Sequence, residues 1–265
     1  MRVRTCTEDD DILLSARGGK VIRFPVSDVR VFSSRASTGV RGMKLAKDDE
    51  VIAMSIVRHV KVEIEQRDLY LQSVGAARRL KGGDYTDRDE DKARDEELAS
   101  RLEDPVYQEM AENEEFILTI TNDGMGKRTS AYEYRISGRG GQGVTGIELG
   151  RGKKEPPAAI VAAFTVEDED EIIMVSDGGQ IIRCPIDQIS IVGRSARGVT
   201  VFKVAEDERL VSVSRLRDLG DEGDEGDEND DGGAEAPVEA ENQNQESEPE
   251  GGAEDAAETG EGEDQ

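Results

Sequence analysis

Three stretches of this chain repeat one pattern, and that repetition narrows the possible folds more than any other feature of the sequence. The first runs from Ile12 to Phe24 (ILLSARGGKVIRF), another from Ile172 to Cys184 (IIMVSDGGQIIRC), and a slightly offset one from Phe116 to Arg128 (FILTITNDGMGKR). Each is a short apolar run, a glycine-bearing polar turn and a second run that carries an arginine. Glycine supplies the positive φ that tight hairpin turns need, so each copy reads as a β-hairpin. The likeness continues downstream. Gly39-Val40, Gly143-Val144 and Gly198-Val199 recur at nearly constant distance from the turn, with Arg35, Arg139 and Arg194 just before them. Each copy then enters a further pair of β-rich runs: Met43 to Leu45 with Val51 to Val57, Ile147 to Leu149 with Ile160 to Val166, and Thr200 to Val204 with Leu210 to Val213. Four short strands in about 50 residues is the size of one propeller blade. The expected fold is all-β, with propeller-like blades over residues 7–57, 115–166 and 167–217.

Residues 58–114 match none of the copies. They read as an insertion in a blade-edge loop, which costs little because loop-closure entropy grows slowly with length. Within it Val60 to Leu71 could extend a strand or hairpin, Gly82-Gly83-Asp84 reads as loop, and Asp87 to Leu102 is charged and helix-prone. Leu98 and Leu102 stand four residues apart, as on one helix face, and Pro105 is the expected stop. A solvated insertion and a partner-binding helix are both open readings. Residues 218–265 hold almost no large apolar side chains, so they cannot bury enough surface to offset the entropy of ordering and are expected to be disordered.

Charge is informative only once it is divided along the chain. The formal total is −26, which on its face disfavours a polyanionic partner. The segment from Asp218 to Gln265, however, holds 21 acids and no Lys or Arg, and residues 58–114 hold 16 acids against 10 bases. What remains carries 23 acids against 24 bases. The repeats are close to neutral, and the acidity belongs to the tail and the insertion. Such a tail could mimic DNA and occupy a basic surface of its own chain, or simply keep the protein soluble.

Catalysis finds little support. Cys6 and Cys184 are too few for a ligand cluster or a disulfide framework, which fits a reduced, cytoplasmic chain. No apolar run approaches the roughly 20 residues needed to span a bilayer, and the first residues are polar, so neither a membrane nor a signal peptide is expected. The sole histidine, His59, has no flanking nucleophile motif and is expected to be structural or solvated. Tyr132 and Tyr134 read as sheet-packing residues. The loop Gly138-Arg139-Gly140-Gly141-Gln142-Gly143 lacks the Lys-Ser/Thr ending of a phosphate loop. No catalytic, cofactor or metal residue is assigned.

Basic residues carry more. Arg17, Lys20 and Arg23 surround the first hairpin, Lys127 and Arg128 the second, and Arg183 lies in the third. Arg35, Arg41, Lys44, Arg139, Arg194 and Arg197 lie in the following loops. In a blade repeat, equivalent positions line one rim, and a rim of cations would bind phosphates by counterion release, strongly, salt-sensitively and with little regard for sequence. These twelve residues are the candidate DNA-binding set. Arginines merely solvating a sheet edge are the bland alternative.

The blocks Arg17–Phe24 (RGGKVIRF), Thr38–Leu45 (TGVRGMKL), Asn122–Thr129 (NDGMGKRT) and Ile189–Arg194 (ISIVGR) through Gly198-Val199 resemble the family of C-terminal domains of the DNA gyrase A protein, over roughly residues 7–57 and 115–217. The resemblance implies a β-pinwheel, a six-bladed relative of the propeller whose rim wraps double-stranded DNA so that strand passage introduces negative supercoils. The three blades here look like the last three, and an acidic tail is usual in the family. The family's signature QRRGGKG box belongs to the first blade; Arg139 to Gly143 (RGGQG) is a degenerate echo of it. The cleavage domain with its catalytic tyrosine is likewise missing, which implies a piece of a longer protein. ATP and Mg2+ would be used through the partner, the gyrase B protein, in an A2B2 assembly. The corresponding A protein of topoisomerase IV is the neighbouring possibility. A propeller-like protein-interaction scaffold is the alternative of a different class.

Overall fold

A computed structural model describes residues 3–33, 35–82, 89–150 and 157–216. The acidic tail and the loop reading at Gly83-Asp84 fall outside the described residues.

Alternating side chains make each hairpin. In β1 (Asp10–Ala16) every second residue is buried, and β1 pairs antiparallel with β2 (Lys20–Pro25) and with β3 (Val51–Arg58). The second repeat builds β4 (Phe116–Thr121), β5 (Met125–Ser130) and β7 (Ile160–Val166), with β4 again central. The third builds β8 (Glu171–Ser176), β9 (Ile181–Pro185) and β11 (Leu210–Leu216), with β8 central. The pairings Leu13↔Arg23, Leu118↔Arg128 and Ile173↔Arg183 show that the three copies share one register.

The fourth strand of a blade does not come from its own repeat, as the sequence suggested. It comes from the next one. Strand β6 (Val144–Thr145), in the second repeat, pairs with β2 of the first blade, and β10 (Val199–Thr200), in the third, pairs with β5 of the second. The resulting sheet orders are β3-β1-β2-β6, β10-β5-β4-β7 and β11-β8-β9. Met43 to Leu45 and Ile147 to Leu149, read as strands from their apolar content, form no strand; Met43 and Ile147 are buried instead as single core plugs. Between hairpin and third strand each repeat thus sends out a long arm, residues 29–45, 134–149 and 189–204. Arms two and three cross to the preceding blade.

The blades also pack face to face. Leu13, Val21 and Val57 meet Ile117, Ala131 and Tyr134 of the second blade. Leu118 and Ile120 meet Ile172, Met174, Ile186 and Ile189 of the third. Each such fully buried aliphatic side chain contributes about 1.5–3 kcal/mol, so the junctions between blades are as hydrophobic as the blades themselves.

The insertion is helical throughout its regular part. Where Val60 to Leu71 suggested a strand, α1 (Ile64–Gly82) begins; Tyr70, Ser73 and Ala76 recur at three-residue spacing and are its buried face. Helix α2 (Asp89–Ser100) follows and is tied to α1 by the Arg79–Asp95 ion pair, 2.7 Å. Pro105 does not end α2, which stops at Ser100; it opens α3 (Pro105–Glu112), whose N-cap Asp104 accepts a hydrogen bond from the Val106 amide at 2.9 Å. Proline suits a first helical position because its missing N–H would be unpaired there anyway. The bundle docks on the second blade through aromatic side chains. The Tyr70 and Tyr132 rings meet edge to face at 5.6 Å, and the Tyr132 hydroxyl donates to the Met110 carbonyl at 3.0 Å. Burial, together with the Glu114 carboxylate, holds the Tyr70 hydroxyl well above the ordinary tyrosine range. Tyr132 is therefore less a sheet-packing residue than the socket for the insertion, whereas Tyr134 packs between blades one and two.

Candidate nucleic-acid interface

The twelve candidate cations separate into three groups once their partners are seen. Arg23, Arg128 and Lys127 are internal. The Arg23 side chain is only 3% exposed; its Nε donates to Asp11 Oδ2 at 2.7 Å, and its terminal nitrogens donate to the carbonyls of Ala131 and Arg58, each at 2.8 Å. His59 closes the same network, with Nδ1 2.7 Å from Asp11 Oδ1. Arg128, 7% exposed, donates to the carbonyls of Ile189 (2.6 Å) and Asp187 (3.2 Å) and pairs with Asp168. Lys127 donates to the carbonyls of Gly193 (2.9 Å) and Arg194 (2.6 Å), and burial, only partly offset by Glu133, pulls its pKa down to about 8. These three clamp one repeat to the next. Reading them as rim residues is corrected by their burial: no phosphate can reach them.

A second group is exposed but already neutralised. Arg17 pairs with Glu50 at 3.2 Å, Arg197 with Asp123 at 2.8 Å, and Arg183 with Glu171. Burial alone would raise the Asp123 carboxyl, but the Thr121 hydroxyl and Arg197 outweigh it and hold it below the usual range, so this pair persists at neutral pH. Arg183 sits on β9.

The third group keeps its charge. Arg139 donates to the carbonyls of Asp28 (2.9 Å) and Arg41 (3.3 Å), and Arg194 to the carbonyl of Thr145 (3.1 Å). Carbonyls fix a guanidinium without cancelling it, and its five N–H donors leave some free for a phosphate. Lys20 contacts the Thr145 hydroxyl at 3.1 Å. Arg35, Arg41 and Lys44 are exposed on the first arm.

The arms bring this group together. The Gly140 amide donates to the Gly42 carbonyl at 2.7 Å and the Lys44 amide to the Gly141 carbonyl at 2.8 Å, so arms one and two lie side by side. Arg194 reaching Thr145, with Glu148 N to Ala196 O at 3.5 Å, joins arm three to arm two. Arg41, Lys44, Arg139 and Arg194 thus share one layer of loops spanning three repeats, and Lys20, at the start of β2, reaches it through Thr145. Two exposed arm arginines, Arg30 and Arg135, lie outside the candidate set; each stands seven residues beyond the hairpin arginine of its repeat (Arg23, Arg128), and that spacing was the available signal. Glu148 and Asp28 are acids on the same layer, so it is a mixed surface with a cationic excess rather than a bare positive strip.

Comparison with known proteins agrees with this architecture. A family model described as "DNA gyrase C-terminal domain, beta-propeller" matches residues 10–58, 115–167 and 170–217. The DNA gyrase A protein of Granulibacter bethesdensis is 45% identical over 218 residues, covering 80% of this chain, and that of Rickettsia bellii is 41% identical over 219 residues, covering 82%. The chain spans 23% of the length of each of these relatives. Among solved structures, the C-terminal domain of DNA topoisomerase IV superposes with a TM-score of 0.52 at 18% identity, covering 79% of this chain and 47% of that one, a likeness of fold.

Proposed function

We propose that this chain, which belongs to the DNA gyrase C-terminal domain family of β-propeller folds, holds duplex DNA along its layer of arms by phosphate contacts and without reading base sequence. One observation carries the reading: Arg41, Lys44, Arg139 and Arg194, drawn from three successive repeats, lie on loops hydrogen-bonded to one another, with Lys20 at the start of β2 beside Thr145, and among the described residues none of the five forms an ion pair with a carboxylate. Cations at repeating intervals on successive blades favour a duplex that bends to follow them. Bending 20–30 base pairs costs on the order of 1–6 kcal/mol, so several contacts must act together. Within the whole gyrase A protein such wrapping would support ATP-dependent negative supercoiling, with ATP and Mg2+ handled by the gyrase B protein.

Fluorescence anisotropy with a mixed-sequence duplex tests this over a series of salt concentrations. With about six phosphate contacts, log K falls against log salt with a slope near −5. Replacing Arg41, Arg139 and Arg194 together by alanine should flatten the slope by about 3 and weaken all sequences equally. A salt-independent affinity, or a strong preference for one sequence, would refute the proposal.

A further inference from the structure

The first residues of the insertion leave a groove against the second repeat. Val60, Val62 and Ile64 line it from the insertion, and Tyr132, Arg135 and Ile136 from the second repeat, around a volume of about 500 Å3. Its lining residues all fall between Arg23 and Ser137, at the junction of the first two repeats. Val60 and Val62 pack on the tyrosine cluster that seats the helices, but the apolar surface does not end there. Ile64 is 63% exposed and Ile136 40%.

Two further observations say what could fill it. Val60 and Val62 line the groove while Lys61 between them does not, the period-two alternation of an extended segment. Among the described residues, the backbone N–H and C=O groups of Val60, Lys61 and Val62 have no hydrogen-bond partner, and these residues belong to no sheet. An unpaired extended segment is a template for an added strand. Charge at the groove is one-sided as well: three arginines line it and no carboxylate does. Arg23 is committed to Asp11, and Arg67 pairs with Asp68 at 2.6 Å. Arg135 is exposed and, among the described residues, forms no ion pair.

We infer that this groove docks a partner protein through a short extended segment that alternates aliphatic side chains with carboxylates. The segment pairs its backbone with residues 60–62, its aliphatic side chains cover Ile64 and Ile136, and one of its carboxylates meets Arg135. Strand addition of this kind draws affinity from main-chain hydrogen bonds and specificity from the pockets that receive alternate side chains. A nucleic-acid backbone suits the groove poorly, because phosphates offer nothing apolar to cover the two isoleucines. Arm two runs on from Ser137 to Arg139, so the partner is held at the border of the cationic layer. The groove is complete whether or not that layer holds DNA.

Fluorescence anisotropy of a short, end-capped, dye-labelled peptide alternating valine and glutamate tests this with the full chain. Binding should saturate below about 1 mM peptide, the weak end of specific recognition. Serine in place of the valines, lysine in place of the glutamates, or N-methylation of alternate backbone amides should each weaken it by about tenfold or more. Ile64→Ser changes a mostly exposed side chain, so the variant keeps its fold, verified by circular dichroism. It should lose peptide affinity by a similar factor while binding duplex DNA as the wild type does. Arg135→Glu should reverse the preference, taking the lysine peptide over the glutamate one, which a merely structural arginine would not do. Absence of saturable binding overturns the inference, as does an Arg135→Glu variant that keeps the wild-type preference. So does peptide affinity unchanged in Ile64→Ser, which would place the carboxylates on the cationic layer instead. A wild-type mass above 28.9 kDa in light scattering that falls to 28.9 kDa in Ile64→Ser would assign the groove to a second copy and likewise overturn it.

Discussion

Arg23, Arg128 and Arg183 occupy the same register position in three copies of one hairpin, yet they live in three different environments. The Arg23–Asp11 pair is wholly buried and shared with His59. Arg128 is equally buried, but its carboxylate partner, Asp168, is 64% exposed, so most of its hold comes from carbonyls of the third repeat. Arg183 pairs in the open with Glu171, the residue at the register position of Asp11. Solvation decides the difference. A repeat cation becomes structural where the following repeat covers it and stays at the surface where none does. Sequence equivalence alone therefore cannot say which arginines of a repeat meet a ligand.

Removing each arginine in turn tests the difference most directly. Arg23→Met leaves the buried Asp11 carboxylate to the His59 ring and takes the donor from the Ala131 and Arg58 carbonyls, so it should cost about 3–5 kcal/mol, the range for breaking a buried ion pair from one side. Arg128→Met should cost less, because Asp168 is already solvated and gains little from an exposed pairing. Arg183→Met should be within about 0.5 kcal/mol of wild type, as for most surface substitutions. Urea unfolding of the three variants orders them. Equal losses at all three positions would mean that burial does not separate them.

The arm glycines carry the same contrast into the backbone. Gly143→Ala and Gly198→Ala combine a disfavoured positive φ with a Cβ driven into the accepting strand, and each should cost more than about 2 kcal/mol. Gly39→Ala meets only the conformational cost, about 1 kcal/mol, since its surroundings are open. The measurement is again chemical denaturation.

The hairpins were legible in the sequence because turn glycines and alternating side chains are local signals, and they placed Arg23, Arg128 and Arg183 in register. The exchange of the fourth strand was not. Val144–Thr145 is two residues long, too short for any period to show, and its partner lies more than a hundred residues away. For the same reason the rim was only half legible: Lys127 and Arg128 look like surface cations until the carbonyls of residues 187–194 are laid over them. In the insertion, Val60, Val62 and Ile64 alternate like a strand, and the helical face becomes visible only from Tyr70 onward.

Lys127 gives an effect that depends on pH, and its sign is informative. The unfolded chain keeps this ammonium up to its ordinary value of 10.5, whereas burial lets the native form release its proton from about 8. Between those limits the unfolded state binds more protons, so the contribution to stability rises with pH, and below about 8 it is flat. Measured against Lys127→Met, which cannot titrate, the wild type should gain steadily across that window. A difference that does not change with pH would mean that the carbonyls of Gly193 and Arg194 keep the lysine charged, and the second junction would then be held by two permanent cations, Lys127 and Arg128, where the first relies on Arg23.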